Sequence, residues 1–452
     1  MRHNYIRKHL KQGQLRILGL VLYVAIAVLA VACYPRYKEN KDVENQIELT
    51  FFYPVEADGP VAGFIEEMAK DFNQENPDIK IKPVYSDGYE EIEIQRQEAI
   101  EKGTPPDLFV DLASKRYEMV ENGQIEPLCD LIKADGGEEY ITGFLDEFIV
   151  DSYVDDKIYG IPFQRSVEIL YYNKDAFEEV GLNPDKPPRT WEQLIRYSKK
   201  LTKRDRRGNV ERWGVGMPLN LGAAQWTFGS FASQNNLSGG NLMSEDGKSV
   251  YFDTPENVEV LEFWADLRNE HQVMPANIIR RDDLPKGFLN GDYAMIYNTT
   301  GNLTNIYKNA RFEFGIAFLP SNKQMGSTIG GGNFYITKGL AKEKQEAAWK
   351  FIRYATSTTQ ATNWAVNTGY IATKKDAHNT HLLEKYYEEL PQALIGVEQL
   401  NYAKPELATY EANLIWDILN SNIQFAVNGD LEADEALKKA QQQADKILDK
   451  YK

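Results

Sequence analysis

Side chains able to make or break bonds occur in this 452-residue chain, but not in the spacing that catalysis needs. There is no G-x-S-x-G turn for a serine nucleophile, no H-E-x-x-H zinc motif and no G-x-x-x-x-G-K phosphate loop. His378 and His381 stand in a polar stretch, which indicates a solvated surface rather than a metal site. The 67 Asp and Glu residues produce carboxylate pairs by chance, and no spacing marks out an acid and a nucleophile. The sequence therefore shows no catalytic, metal or cofactor motif, and a surface-anchored carbohydrate-active enzyme is only a distant alternative.

Two groups of residues are placed to bind a small molecule. Asp111 and Ser114 follow an apolar strand at 108–110, and α/β sheets bind ligands at the carboxyl ends of their strands. Gly331 and Gly332 are adjacent glycines, which let backbone N–H groups approach a ligand closely. We therefore expect these four residues to contact the ligand.

The elements that must position these residues alternate between two hydrophobic periods. Strand patterns at 47–53, 79–85 and 108–110 alternate with helical patterns, one beginning at Pro60 and one spanning 90–102. This β-α-β-α-β order predicts a mainly parallel sheet with helices on its faces.

Further along the chain the alternation continues. Strands are predicted at 166–172, 293–297 and 312–317, and a charged amphipathic helix at 433–451. Thr190, with Gln193 three residues later, predicts a helix start, as do Thr254 and Pro255. The whole chain is therefore expected to be an α/β protein.

Charge and cysteine content narrow the class further. The net charge is −16, and removal of the five basic side chains among residues 1–32 would bring it to about −21. Such an acidic surface argues against nucleic acid or anionic headgroups as partners, because both need a basic footprint. Cys33 and Cys129 are the two cysteines of the sequence, so disulfides are not expected to hold the fold.

The first 45 residues read as export followed by anchoring. A basic start precedes an apolar run of 14 residues at 17–30, too short to span a bilayer comfortably. LAVAC at 29–33 resembles a bacterial lipobox, with Ala30 where Leu or Val is usual. We expect residues 1–32 to be a signal peptide, Cys33 to carry lipid, and 33–45 to tether the folded body to the membrane at the cell's outer face or in the periplasm.

Five sequence segments occur in an order that resembles family 1 extracellular solute-binding proteins. They are YGIPF at 159–163, ILYYNKDAF at 169–177, PPRTW at 187–191, FLNGDYAM at 288–295 and GGGNF at 330–334. The family includes the maltose-binding and glycerol-3-phosphate-binding receptors of ABC importers. The resemblance runs from about residue 47 to the C-terminus.

The resemblance implies a two-lobed periplasmic-binding-protein fold of class II type, whose hinge the chain crosses three times. It assigns 46–163 and 298–330 to an N-terminal lobe and 164–297 and 331–452 to a C-terminal lobe. A solute would be captured in the cleft by rotation of the lobes and delivered unchanged to permease subunits. The receptor is expected to act as a monomer.

The same resemblance suggests ligand residues. Trp416 falls where the maltose receptor stacks a tryptophan on its ligand, whereas the glycerol-3-phosphate receptor has an arginine there. Because sugars bind aromatic platforms with amide, hydroxyl and carboxylate partners, the expected ligand is a carbohydrate. Glycerol-3-phosphate or a glycerophosphodiester is the alternative. The remaining cleft residues are Tyr89, Ser166, Trp226, Asn298, Thr299 and Thr300, together with Glu168, which shares a strand face with Ser166.

Overall fold

The computed structural model describes residues 46–54, 61–220, 222–237, 242–275 and 277–452. The predicted signal peptide, the tether with Cys33, and Pro60 lie outside these ranges. Within them, no helix combines the length and apolar character needed to cross a bilayer.

The strands form one large mixed sheet. The first three, β1, β2 and β3, are parallel neighbours in the order β2-β1-β3, as the β-α-β-α-β pattern predicted. The sheet continues through β11 and β6 to β10, with β12 paired to β11 and β9 to β6. The strand bounds are β1 Ile47–Pro54, β2 Ile79–Ser86, β3 Leu108–Leu112, β4 Tyr153–Val154, β5 Lys157–Ile158, β6 Ile161–Asn173, β7 Lys203–Arg204, β8 Val210–Arg212, β9 Met295–Thr299, β10 Phe314–Ala317, β11 Ser327–Ile336 and β12 Ala403–Lys404.

Helices pack against this sheet, and every residue of its strands β3 and β6 is buried. Two begin at the predicted side-chain caps, since the Thr190 hydroxyl accepts from the Gln193 amide at 3.2 Å and the Thr254 hydroxyl from the Asn257 amide at 3.3 Å. The helix bounds are α1 Val61–Glu75, α2 Tyr89–Glu101, α3 Arg116–Glu121, α4 Cys129–Ala134, α5 Gly137–Thr142, α6 Asp146–Ile149, α7 Lys174–Glu179, α8 Trp191–Leu201, α9 Ala224–Asn235, α10 Pro255–Asn269, α11 Asp283–Asn290, α12 Leu303–Asn309, α13 Lys342–Ala355, α14 Thr358–Thr368, α15 His381–Glu389, α16 Leu394–Gln399, α17 Ala412–Asn428 and α18 Ala433–Leu448.

Two hydrophobic cores account for most of the buried apolar side chains. The first, here the N-terminal core, gathers β1–β3 and α1 with α13 and α14. In it the Phe351 ring meets those of Phe51 and Phe72, with centroids 5.4 and 5.2 Å apart. The second, the C-terminal core, is built around α9, α10, α17 and α18, with Trp264 fully buried between them. The chain therefore folds into two α/β halves that share one sheet.

The cores distribute the later segments differently from the expected lobes. Phe334, Ile336 and the helices α13 and α14 belong to the N-terminal core. Leu303, Ile306 and Phe314 belong to the C-terminal core. The pairing explains this, because β10 pairs with the second half of β6, whereas β11 turns toward β3 from Gly332 onward.

The strands β6 and β11 connect the halves. The first half of β6 pairs with β11 and its second half pairs with β9 and β10, so a single strand of 13 residues serves both cores. At the crossing, the buried Arg165 guanidinium lies 2.6 Å from an Asp151 carboxylate oxygen and donates to the Asn333 side chain at 3.3 Å. These polar contacts fix the register of β6 against β11 at the point where the halves join.

Candidate ligand cleft

A cavity of about 370 Å³ opens between the two halves. Tyr89 from the N-terminal half and Trp416 from the C-terminal half both line it. Its rim is densely charged. The charged lining residues are Asp87, Glu90, Glu93, Lys115, Arg280, Arg281, Asp282 and Asp417.

Tyr89 is the first residue of α2 and is held from below by a strand residue. Gly88 precedes it with φ +93°, a left-handed conformation that glycine adopts at low cost and that turns the chain from β2 into α2. The Tyr89 hydroxyl donates to Gln164 Oε1 at 3.0 Å, and Gln164 Nε2 donates to the Pro54 carbonyl at 3.1 Å. A Cβ at Gly332 would come within 2.8 Å of the same hydroxyl, so Gly332 contributes here by having no side chain.

Trp416 lies on α17 with only 4% of its surface exposed. Its indole N–H donates to the Leu407 carbonyl at 3.0 Å, which fixes the ring plane. The Lys115 ammonium stands 5.6 Å from the ring centroid and is ion-paired with Glu93. The ring is therefore oriented before any ligand arrives, with a cation on one of its sides.

Glu168 is completely buried on β6. One carboxylate oxygen accepts from the Thr227 hydroxyl, and the other has no hydrogen-bond partner among the described residues. Burial raises the pKa of this carboxyl to about 7, against the opposing effects of the Thr227 and Ser230 hydroxyls and the Arg281 charge. The Glu168 carboxyl thus has a pKa near neutral pH. Its second oxygen is still able to accept a hydrogen bond or, when protonated, to donate one.

Ser166, Trp226 and Gly331 surround the crossing of β6 and β11. Ser166 pairs in register with Gly330, and the Trp226 indole packs over that glycine, where a Cβ would lie 2.9 Å from its nitrogen. The Trp226 N–H has no partner among the described residues. Gly331 has φ +99°, and a Cβ there would lie 1.8 Å from the Gln164 carbonyl, so only glycine fits.

Asp111 and Ser114 are engaged with protein groups. Asp111 is fully buried in β3, 3.1 Å from Arg96, and burial raises the pKa of its carboxyl more than the neighbouring cations lower it. The Ser114 hydroxyl donates to Glu406 Oε2 at 2.8 Å, and burial raises the pKa of Glu406 to about 7. Asp111 therefore belongs to a buried ion pair, and Ser114 joins the two halves of the molecule.

Residues 298–300 form the turn that ends β9. Asn298 Oδ1 accepts from the Thr299 amide at 3.0 Å and from Asn302 Nδ2 at 2.6 Å, and Thr299 Oγ1 accepts from the Gly301 amide at 3.1 Å. The buried Thr300 hydroxyl has no partner among the described residues. The hydrogen bonds of Asn298 and Thr299 stabilise this turn.

Of the residues predicted from the sequence, Tyr89 and Trp416 are brought together at the cavity, and Gly332 supports Tyr89 directly. Sequence reasoning missed Lys115, Arg280, Arg281 and Asn413, which also line the cavity. Asn413 stands three residues before Trp416 on the same helical face, so helical spacing could have found it. Arg280 and Arg281 lie in an irregular segment before α11, where no periodicity marks them.

Comparison with known proteins identifies the class. The family model described as bacterial extracellular solute-binding protein matches residues 67–392. The chain belongs to this family and is a solute-binding protein of the ABC-importer type. The expected two-lobed α/β fold is confirmed.

Similar proteins bind different solutes. The sn-glycerol-3-phosphate-binding periplasmic protein UgpB of Escherichia coli is 28% identical over 406 residues, 88% of this chain and 89% of that protein. UgpB from Mycobacterium tuberculosis in complex with glycerophosphocholine superposes with a TM-score of 0.77 at 22% identity, over 88% of this chain and 98% of that one. Maltose-bound MalE3 of T. maritima superposes with a TM-score of 0.76 at 23% identity, over 89% of this chain and 100% of that one.

Proposed function

We propose that this protein captures a carbohydrate in the cleft and delivers it unchanged to an ABC permease. The pair of aromatic rings carries the proposal, because Tyr89 and Trp416 face one cavity from opposite halves. Aromatic faces bind the C–H faces of sugar rings, while the surrounding carboxylates and amides bind their hydroxyl groups. The fixed orientation of the Trp416 indole lowers the cost of ordering the site when a sugar binds.

Glycerol-3-phosphate or a glycerophosphodiester is the second candidate. Lys115, Arg280 and Arg281 line the same cavity, and charge-assisted donors of this kind bind phosphate. Lys115 already pairs with Glu93, and Asp282 lies beside the two arginines in sequence, so carboxylates offset these cations. The names of the E. coli and M. tuberculosis relatives keep this candidate open.

Calorimetric titration with two solute panels separates the candidates. We expect maltose and larger gluco-oligosaccharides to bind, and glycerol-3-phosphate and glycerophosphocholine to fail. Trp416→Ala should weaken sugar binding by about 1–3 kcal/mol while the fold is retained. Arg281→Gln is the matched variant. It should leave sugar binding nearly intact, whereas any phosphodiester binding by the wild-type protein should be lost in it. Tight binding of glycerophosphocholine with no sugar binding would overturn the carbohydrate proposal.

Absence of turnover belongs to the same proposal. Sugars recovered after prolonged incubation with the protein should be unchanged by chromatography. Release of a shorter sugar would instead indicate a carbohydrate-active enzyme.

Membrane anchoring through Cys33 is also proposed. The LAVAC sequence at 29–33 supports it. Mass spectrometry of the mature protein should find a diacylglyceryl modification on Cys33, and Cys33→Ser should release the protein from the membrane fraction. A mature N-terminus elsewhere than Cys33 would refute it.

Lobe boundaries can be proposed from the two cores. We place the hinge crossings in the middle of β6, near Gly331 of β11, and after α14. The N-terminal lobe would then comprise residues from 47 to about 165 together with about 331–378. Limited proteolysis and amide exchange should show the segments of each lobe protected together, as two sets that differ from each other.

A further inference from the structure

A short segment of the N-terminal half packs against the C-terminal half. It comprises residues 113–121, which follow β3 directly, and Met119 packs with Phe109 and Tyr335 in a small apolar cluster on that side. Tyr117 projects from it and is 5% exposed. Residues 113–121 are therefore part of the N-terminal half, while the Tyr117 side chain is buried against the other.

Tyr117 is bound by three features of the C-terminal half. Its hydroxyl donates to the Glu245 carbonyl at 2.7 Å, and its ring lies 5.4 Å from that of Tyr410. Gly247 has φ +67°, and a Cβ there would lie 2.9 Å from the Tyr117 ring. The glycine therefore leaves the space that the ring occupies.

The receiving surface is itself fixed. Tyr410 stacks on Tyr451 with centroids 4.4 Å apart, and the Tyr451 hydroxyl donates to Glu411 at 3.0 Å. Tyr117 thus packs against a surface that Tyr451 and Glu411 hold in place.

Tyr117, Tyr410 and Glu245 are not among the described residues that line the ligand cavity. Their contacts join one half of the protein to the other and need no solute. Since a receptor's apparent dissociation constant rises as its binding-competent fraction falls, contacts that favour closure increase affinity for every solute equally.

We propose that Tyr117 is a positioning residue that sets affinity by stabilising the closed arrangement of the lobes, without touching the solute. The proposal rests on the two-lobed receptor function and not on the ligand class. Removal of the Tyr117 hydroxyl should therefore reduce the closed population in the absence of any solute. It should also weaken binding of different solutes by one common factor.

Tyr117→Phe is the test, and Tyr140→Phe is its matched control. Tyr140 is also buried, but its hydroxyl bonds Thr356 Oγ1 at 2.9 Å within the N-terminal core. Single-molecule energy transfer reports the open and closed populations through dyes at the exposed positions Glu98 and Glu262, on opposite halves. The full chain carries Cys33→Ser and Cys129→Ser, so that the dyes attach only at positions 98 and 262.

Without solute, Tyr117→Phe should raise the open-to-closed ratio about fivefold, the factor that one net buried hydrogen bond supplies. Tyr140→Phe should lower the unfolding stability and leave that ratio unchanged. With maltotriose and glycerophosphocholine as probes, any binding that occurs should weaken by the same factor.

Three results would overturn the proposal. They are a ratio within twofold of wild type for Tyr117→Phe, an equal effect of Tyr140→Phe, and a wild-type protein that never closes without solute. Failure of both probes to bind would count against the ligand classes considered above and would leave the solute-free comparison decisive.

Discussion

Substitution of Glu168 by glutamine should remove a pH dependence from the stability of this protein. The Glu168 carboxyl is fully buried, and burial raises its pKa from 4.5 to about 7. Glutamine keeps the shape and can still accept from the Thr227 hydroxyl, but it cannot ionise.

The direction and size follow from the two pKa values. Below about pH 4.5 the carboxyl is neutral in both the folded and the unfolded chain, so its ionisation does not affect stability. As pH rises from 4.5 to 7 the unfolded chain loses the proton first, and the free energy of unfolding falls by about 1.4 kcal/mol per pH unit. The full loss is about 3.5 kcal/mol, the 2.5 pH units multiplied by that slope.

Urea unfolding of both proteins at several pH values measures this effect. The difference in unfolding free energy, mutant minus wild type, should grow by about 3 kcal/mol between pH 4.5 and 8. Glu406 has a similarly raised pKa, but it is present in both proteins and cancels in the difference. Glu101→Gln, at an exposed carboxylate, is the control for the same chemical change away from the core. A flat difference for Glu168→Gln would refute the assignment of Glu168 as a buried, proton-holding carboxyl.

Three further substitutions test the packing of the two halves, each by denaturant unfolding. Arg165→Met should cost about 3–5 kcal/mol, because it leaves the buried Asp151 carboxylate without its closest cation, and unchanged stability would show that Asp151 is otherwise compensated. Gly331→Ala should prevent accumulation of folded protein, since its Cβ would lie 1.8 Å from a carbonyl oxygen. Gly339→Ala is its control, because a Cβ there meets open space at a similar φ of +85°, and the loss of stability should be far smaller. Trp264→Ala should cost about 3–5 kcal/mol from the centre of the C-terminal core, and a loss under 1 kcal/mol would contradict its packing there.

Most of the regular structure could be predicted from the sequence. The alternation at 47–53 and 79–85 and the helical face of α1 are strong because their apolar residues face a single core. The amphipathic helix predicted at 433–451 forms as α18, and its buried apolar stripe includes Ala436, Leu437, Ala440, Ala444 and Leu448. By contrast, β6 was predicted as a strand at 166–172 and in fact begins at Ile161, since all 13 of its residues are buried and period two is lost.

The candidate site was harder to predict because it depends on long-range contacts. Asp111 stands where α/β sheets place ligand groups, yet Arg96, on the helix before that strand, pairs with it. Ser114 meets Glu406 from 292 residues away in the chain, a contact that no local pattern records. Tyr89 and Trp416 could be predicted as cleft residues from the family resemblance, but their spacing in the sequence did not indicate that they share a cavity.

Sharing of β6 between the two halves limits how this protein can be dissected. Expression of residues 46–163 alone would remove α13 and α14 from the N-terminal core and would leave β3 without β11 as its neighbour. Expression of the remainder would deprive β11 of its neighbour β3 and of the first three residues of β6. Neither fragment is expected to fold, so cutting the gene at the hinge would yield insoluble pieces. An isolated half would have to be made by joining distant stretches of the gene through a linker.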